Sequence, residues 1–575
     1  VSSMLEIKKQ IAGVIAGVIA ETAPGAGMDA DAIAALLEYP PDEKMGDLAL
    51  PCFKLSKVLR CAPVKIADTL AAGLDGACPC VARVESVGGY LNFFLDGQKL
   101  AERILPQVKE RGDRYGAPDI GHGKTVVLDY SSPNVAKPFH IGHLGTTVIG
   151  HSLKKLHQFA GYHCVGINYL GDWGTQFGKL ITAYRMWGNR EQIEQGGIDS
   201  LVALYVRFHE EAEKDPALND RARLEFHKLE QGDADNTELW RWFVHISLEE
   251  YQKTYRQLGI EFDSYKGESF YTDKMPAQVQ KLRDMGLLKL DDGASIVDLE
   301  PYGMPPCLIL KRDGSTLYPT RDIAAAVYRK ETYHFDKAIY VTSAGQSLHF
   351  AQWFKVVELM GYDWYNELVH VPYGTVSING EKLATRTGNV ILLRDLFALA
   401  IEKVSAIMKE KNPELAGKED IAEAVGVGAV VFYYLSNNRL RDINFVMEDA
   451  LSFDGNTGPY VQYTYARTCS VLGKAGDIRD DLPLCVTAEE ETALLRVIAR
   501  FEETVRAAID AYEPSLITRY ILDVAGAYNR FYHNCSILNA EDEKVKATRL
   551  ALTAATRTVL GNAFDLICLR RTEKI

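Results

Sequence analysis

Apolar positions recur every three to four residues over Met4–Ala20 and Ala30–Leu37, and the period then shortens to two over Val81–Leu95, broken by Gly88-Gly89. Helices followed by a hairpin make the chain up to about Lys109 a small α+β domain. Along Tyr90–Leu95 the alternation puts Tyr90, Asn92 and Phe94 on one face and Leu91, Phe93 and Leu95 on the other. Gly112–Gly123 is rich in Gly, Pro and Asp and reads as a linker. Thr125–Leu128 is a continuous apolar run closing on Asp129-Tyr130, the form of a strand buried on both faces. Pro133 and Pro138 interrupt the chain, and a helical pattern starts at His143 and runs through Leu144, Val148, Ile149 and Leu153. Strand, polar loop and helix open an α/β sheet, whose ligands bind at the carboxyl ends of its strands. Leu201–Leu258 is long, charged and helical, and reads as an insertion in that sheet, spanning about 180–265. Strand patterns resume at Pro306–Leu310 and Lys337–Val341, and after Asp395 the pattern is helical to the end, with Gly426–Leu435 and Pro459–Leu472 among its segments. No internal repeat or low-complexity tract is present.

Composition bounds this picture without changing it. The chain has 575 residues, too many for one core, so three or four domains are expected. Hydrophobic residues at 47% and charged residues at 25% are ordinary for a globular protein, and no apolar run has the length of a membrane span. The small apolar stretch Ile11–Ala20 reads as the buried face of a helix rather than a signal peptide, which makes a cytoplasmic location the expectation. The ten cysteines are scattered; only Cys78 and Cys80 are close, so reduced thiols and no zinc site are expected. A net charge of -13 counts against a general nucleic-acid coat but allows an enzyme that binds one folded RNA through local basic patches.

The candidate chemistry centres on His140-Ile141-Gly142-His143. The two histidines stand three apart, on one face of the helix that starts there. Free N–H groups and partial positive charge at a helix start suit a triphosphate, and Gly142 leaves room for a flat base against the backbone. Two surface histidines at a helix turn would give the same four letters; the preceding strand and Pro-broken loop set this instance apart. A second, basic loop is expected opposite, and Glu381–Asn389 contains Lys382 and Arg386.

Ser131–His143, Gly171–Gly178, Tyr318-Pro319-Thr320-Arg321-Asp322 and Asn456–Tyr463 together resemble the arginyl-tRNA synthetases of the class I synthetase type. The resemblance runs over most of the chain. It implies a Rossmann-like catalytic domain at 113–395 carrying the helical insertion, an N-terminal tRNA-binding domain at 1–112, a helical connection at 396–455 and an all-α anticodon-binding domain at 456–575. The implied reaction joins L-arginine to the 3′ end of tRNA(Arg) through arginyl-adenylate, with ATP (with Mg²⁺) consumed and AMP and pyrophosphate released. No DNA, membrane or prosthetic group is implied, and a monomer is expected.

By the same resemblance Asp129, Asn134, His140, Tyr318, Asp322 and Gln346 contact arginine, while His140, Gly142, His143, Lys137, Lys382 and Arg386 face ATP. A guanidinium is a planar fork of five donors, so carboxylates and neutral acceptors in a fixed plane would recognise it. Tyr318 and Asp322, four apart, share a face if a helix begins there. A site built on such pairs rejects analogues by roughly 10⁴-fold, so no editing domain is needed. The basic loop departs from the class I signature: Lys382 matches its first lysine, but Thr385 stands where the second would be. Lys137, three residues before His140, is expected to supply the missing charge, with Arg386 the alternative; Lys137 and Lys382 are thus catalytic candidates beside the two histidines. On the tRNA side, Asn92 and Phe94 resemble the strand that reads the outer corner of tRNA, and Tyr460, Tyr463 and Arg467 offer stacking and phosphate contacts. The family also needs tRNA bound before activation. A tRNA-independent adenylyltransferase and a non-catalytic paralogue are the competing readings.

Overall fold

A computed structural model describes residues 3–378, 381–382 and 391–575. Helix α1 (Ser3–Thr22) buries Met4, Ile7, Ile11, Ile15 and Ile19 along one stripe, which accounts for the apolar stretch near the start of the chain. Helix α2 (Ala30–Leu36) is capped by Asp29, whose carboxylate accepts the Ala32 N–H at 2.7 Å. Strand β1 (Leu48–Pro51), the one-turn α3 (Ser56–Leu59), α4 (Pro63–Leu74), β2 (Val81–Val87) and β3 (Tyr90–Leu95) follow, and the three strands pair antiparallel in the order β1-β3-β2. The alternation of β3 is as expected: Leu91, Phe93 and Leu95 are core, while Tyr90 and Phe94 are open on the other face. Asn92 departs from the expectation. It is 6% exposed, because β3 is the central strand and the turn at Gly46 lies over it.

After α5 (Gly97–Arg111) the catalytic unit opens with β4 (Thr125–Asp129), α6 (Leu144–Phe159) and β5 (His163–Ile167). The insertion is α7 (Thr175–Trp187), α8 (Arg190–Gly196), α9 (Ile198–Lys214), α10 (Ala217–Glu230) and α11 (Ala234–Leu258), with its own core around Phe177, Phe208 and Phe243. Helix α12 (Met275–Asp284) leads into β6 (Leu288–Asp291), β7 (Ala294–Val297) and β8 (Cys307–Leu310). The strand expected at Pro306–Leu310 therefore exists, but it belongs to a separate antiparallel sheet, β6-β7-β8, and not to the main one. Helix α13 (Tyr318–Tyr333), β9 (Lys337–Ser343), α14 (Ser347–Leu359) and β10 (Leu368–Tyr373) complete the main sheet, which is wholly parallel in the order β10-β9-β4-β5. Strand β4 is internal and buries Val126, Val127 and Leu128, as its unbroken apolar run requires.

Strand β11 (Val376–Ile378) pairs antiparallel with β12 (Glu381–Lys382) and parallel with the distant β13 (Ile443–Phe445). The helical part comprises α15 (Leu393–Lys411), α16 (Lys418–Leu435), α17 (Met447–Leu451), α18 (Gly458–Ala475), α19 (Glu489–Ala499), α20 (Phe501–Ala511), α21 (Ser515–Asn534) and α22 (Glu543–Asp565). One continuous apolar core joins α1, α6 and these helices. Polar ties add to it: Arg496 Nε meets Asp47 at 2.5 Å, Lys8 Nζ meets Glu503 at 3.0 Å, and the Tyr39 hydroxyl donates to Glu503. Among the described residues no helix is long and apolar enough to cross a membrane, and no cysteine is in a disulfide.

Candidate active site

The segment between β4 and α6 carries three non-glycine residues with positive φ: Ser131 (68°), Ser132 (50°) and Ala136 (61°). Such backbone costs of order 1–3 kcal/mol per residue and persists only where its surroundings over-determine it. Here they do. The Ser131 hydroxyl lies 2.8 Å from that of Thr147 and 2.7 Å from that of Tyr255. Ser132 donates to Asp129 at 3.0 Å, and its oxygen accepts the Tyr169 N–H. The Ala136 N–H donates to Ser247 at 2.9 Å, and the Tyr251 hydroxyl donates to the carbonyls of Asn134 and Lys137. Ser247, Tyr251 and Tyr255 all belong to α11, so the insertion braces the loop it follows in sequence. On its other side Val135 and Gly171 form a backbone bond at 3.0 Å, and the Asn134 amide oxygen sits so close to Gly171 that a Cβ there would lie 1.9 Å from it.

Ile141–His143 forms a single 3₁₀ turn that runs into α6. His140 Nδ1 accepts the Gly142 N–H at 3.0 Å, and His143 Nδ1 accepts the His140 N–H at 3.2 Å. With both Nδ1 atoms accepting, the ring proton of each neutral imidazole sits on Nε2. Burial lowers the pKa of both rings, that of His143 to about 3, with His140 adding to the effect there. Both are therefore neutral Nε2–H donors at neutral pH.

A cavity of about 550 Å³ opens at the carboxyl ends of the parallel strands. Asp129, Asn134, His143, Tyr318, Asp322 and Gln346 all line it, although they come from three separate stretches of the chain. Helix α13 starts at Tyr318, so Tyr318 and Asp322 lie one turn apart on the same face, with Tyr318 70% exposed at the rim. His140 is adjacent but does not line the cavity, so of the two histidines it is His143 that faces it. Asp129, expected to contact arginine, already has a partner within the protein. Its Oδ2 pairs at 2.9 Å with Arg329 of α13, which is 1% exposed and ringed by Tyr169, Tyr271 and Tyr340. An internal guanidinium already occupies that acid.

The cavity has one acid that sequence patterns did not mark. Glu268 opens the short 3₁₀ stretch Glu268–Lys274, where no periodicity or motif signals a role. Asp172 fixes this stretch by accepting both the N–H and the hydroxyl of Ser269 at 2.8 Å. Burial raises the Glu268 pKa from 4.5 to about 7; Arg321 opposes the rise, and Asp322 and Asp172 add to it. Asp322 itself accepts His349 Nε2 at 2.6 Å. Three acids thus line the cavity: Asp129 paired with Arg329, Asp322 against His349, and Glu268 with Arg321 nearby but in no ion pair among the described residues.

Lys137 lies outside the cavity. Its ammonium stands 4.6 Å over the Tyr205 ring of α9, and burial together with Lys179 lowers its pKa. Among the described residues neither lysine forms an ion pair. Gly142 sits inside the histidine turn. The Lys382 backbone is in β12, but its side chain and Arg386 lie outside the described residues. The stem that follows them is tied back to the histidine turn: Ile141 N–H donates to Ile391 O and Leu393 N–H to Phe139 O.

In the helical part, Tyr463 and Arg467 of α18 line an open cavity of about 820 Å³ with Lys474, Tyr532 and Lys574. The Arg467 guanidinium lies 4.4 Å over the Tyr532 ring and donates to Asn529 at 2.9 Å. Tyr460 does not line this cavity; its hydroxyl accepts from Asn529.

Comparison with known families decides the classification. The model described as "tRNA synthetases class I (R), catalytic domain" matches residues 105–447, "DALR anticodon binding domain" matches 461–575, and "Arginyl tRNA synthetase N terminal domain" matches 5–95. The chain belongs to the arginyl-tRNA synthetase family. Arginine–tRNA ligase of Clostridium botulinum (strain Alaska E43 / Type E3) is 50% identical over 551 residues, 95% of this chain and 97% of that protein. That of Clostridioides difficile (strain 630) is 50% identical over 545 residues, covering 94% and 96%. Among solved structures, Thermus thermophilus arginyl-tRNA synthetase superposes with a TM-score of 0.81 at 26% identity, covering 98% of this chain and 99% of that one. As a family member the chain has an N-terminal domain, a class I catalytic domain with a parallel sheet and a C-terminal helical domain.

Proposed function

We propose that this synthetase-family chain ligates L-arginine to tRNA(Arg) at the expense of ATP, with the reaction held in the cavity above β4 and β9. The observation that carries the reading is the meeting there of His143 with Glu268, Asp322 and Tyr318. The guanidinium of arginine lies against Glu268 and Asp322, whose like charges are relieved by a permanent cation. Tyr318 closes the rim, and Asn134 and Gln346 hold the α-amino and carboxylate end. Asp129 acts from beneath by holding Arg329 and Ser132.

ATP enters along the start of α6, with Mg²⁺ carried on its phosphates. Arginine carboxylate attacks the α-phosphate, forming arginyl-adenylate and releasing pyrophosphate; the 3′-terminal ribose hydroxyl of tRNA then takes the arginyl group and AMP leaves. The Nε2–H groups of His140 and His143 donate to phosphate oxygens as charge builds at phosphorus. Lys137 and Lys179, two ammonium groups without an acid between them, supply the positive charge that Thr385 does not; Lys382 and Arg386 are the loop's contribution. Positioning and electrostatics account for the rate, and no protein nucleophile is involved.

The tRNA lies across the helical domain, where Tyr463, Arg467 and Tyr532 stack on unpaired bases, and reaches the N-terminal sheet at Tyr90 and Phe94. Tyr460 supports Asn529, and Asn92 supports the sheet from within. The enzyme acts as a cytoplasmic monomer and requires tRNA for activation. The deciding experiment supplies labelled arginine, ATP and total tRNA and measures acid-precipitable label. Label with arginine alone among the amino acids is expected; label with lysine instead, or none, overturns the reading. ATP–pyrophosphate exchange in the absence of tRNA would remove the tRNA requirement.

A further inference from the structure

The three acids of the cavity differ in how many of their oxygens are taken. In Asp129 both are: Ser132 donates to Oδ1 at 3.0 Å and Arg329 to Oδ2 at 2.9 Å. Among the described residues the Glu268 carboxylate accepts no hydrogen bond. Asp322 is the intermediate case. His349 Nε2 lies 2.6 Å from its Oδ2, and among the described residues nothing donates to its Oδ1. An ionised carboxylate only accepts, so Nε2 carries the proton of this bond whatever the state of Nδ1. Its length is that of a bond to a charged acceptor, the strong kind.

His349 reaches Asp322 because of how β9 joins α14. Ala344–Gln346 makes one 3₁₀ turn, α14 begins at Ser347, and Gln346 and His349, three apart, both line the cavity. The His349 ring meets Phe350 edge-on, with centroids 5.3 Å apart at 84°. Phe350 in turn stacks on His370 at 4.3 Å and 8°, and packs on Tyr340 and Trp353. His370 is tied to Thr342 at 2.7 Å, and burial, with Arg439 and His349 adding to it, pushes its pKa down to about 4. This wall therefore brings no charge of its own at neutral pH. The imidazole rests on it and aims Nε2 at a single oxygen of a carboxylate that faces the cavity.

We propose that His349 is a positioning residue for amino-acid selection: by holding Oδ2 of Asp322 it fixes the plane of that carboxylate and leaves Oδ1 alone to accept one N–H of the substrate guanidinium, while Glu268 takes a pair. The proposal rests on the assignment of the cavity to arginine. A guanidinium is a rigid planar fork and gains from acceptors whose planes are set in advance. An ammonium has no plane to match. Freeing Asp322 to turn and offer both oxygens therefore costs arginine affinity and helps lysine, so His349 acts on the choice between the two cations as well as on affinity.

The test compares His349→Asn and His349→Gln in the full-length chain, assayed by tRNA charging at saturating tRNA, with lysine as competitive inhibitor. Both variants lose the ring that packs on Phe350, but the glutamine amide nitrogen can stand where Nε2 does and the asparagine amide stops short. In His349→Asn the KM for arginine is expected to rise by about 10–30-fold, the loss of a hydrogen bond to a charged group, with kcat and the KM for ATP within about twofold. The ratio of the lysine inhibition constant to the arginine KM should fall by about tenfold or more, while His349→Gln returns both quantities to within about threefold of the unaltered chain. Equal losses in the two variants would assign the effect to ring packing and overturn the proposal, as would an unmoved arginine KM or an unmoved lysine ratio in His349→Asn. Should His349→Asn fail to fold, His349→Phe, which keeps a ring but has no donor, takes its place with the same expectation. In an Asp322→Ala background the His349 substitution should change the arginine KM by no more than about twofold; a larger further loss would show that His349 does not act through Asp322. A chain that charges no arginine in any form fails the functional assignment, whereas normal charging with an unmoved KM in His349→Asn fails this proposal alone.

Discussion

At the residue scale, the acid side of the pH profile belongs to Glu268. His143 has its pKa pushed down to about 3, so it stays neutral across the working range, while Glu268 is held up to about 7. A guanidinium needs that carboxylate ionised, so binding arginine releases a proton below pH 7. The KM for arginine is expected to rise by up to about tenfold per pH unit between pH 7 and pH 6. Glu268→Gln should flatten this rise and lower kcat/KM by about 10–100-fold, the range for losing a hydrogen bond to a charged group. Stability moves the opposite way. A carboxyl whose folded pKa is raised contributes stability that is fully present below its unfolded value of 4.5 and is lost as pH rises through about 7. Glu268→Gln should therefore raise the melting temperature at pH 8 but not at pH 4; an equal rise at both would show that the carboxylate is not the cause. For Lys137, substitution by Ala should slow ATP–pyrophosphate exchange by about 100-fold or more if its charge stabilises the departing phosphate, and a near-normal rate would return that task to Arg386.

At the level of elements, the strained loop before α6 and the insertion form one device. The loop was legible in the sequence as a Pro-broken segment after a buried strand, because local chain chemistry marks it. That α11 would supply Ser247, Tyr251 and Tyr255 to hold it was not, since these residues sit more than a hundred positions away on a helix whose periodicity only says that one face is buried. Ser247→Ala leaves the Ala136 N–H buried without an acceptor, a cost of about 1–3 kcal/mol. Calorimetry should register this loss, and because the loop carries Asn134 and leads into the histidine turn, KM for both arginine and ATP should rise with it. Unchanged KM values beside a lowered melting temperature would restrict α11 to a structural part.

At the scale of the whole molecule, a net charge of -13 coexists with a local surface bearing Arg467, Lys474 and Lys574. Few phosphates are then neutralised, so the dependence of tRNA affinity on salt should be shallow for a nucleic-acid-binding protein of this size. Arg467→Ala is expected to lower kcat/KM for tRNA by about tenfold, the loss of one stacking and phosphate contact, with a much smaller change in kcat at saturating tRNA. Filter binding at several salt concentrations checks both statements. The continuous core from α1 through α6 to α22 means that neither outer domain hangs on a free linker. That is the physical setting in which contact at one end can be felt at the other.

The sequence by itself determined the order of the domains, the buried strand β4, the histidine turn and the family. Each of these is written in local periodicity or in a contiguous motif. Only the tertiary structure decided that Arg329 occupies Asp129, that Asn92 lies beneath a turn, that β8 stands outside the main sheet, and that Glu268 joins the lining of the cavity at the carboxyl ends of the strands. Those outcomes depend on which side chains from distant segments desolvate and neutralise one another, and that pairing is a property of packing in three dimensions, to which local pattern is blind.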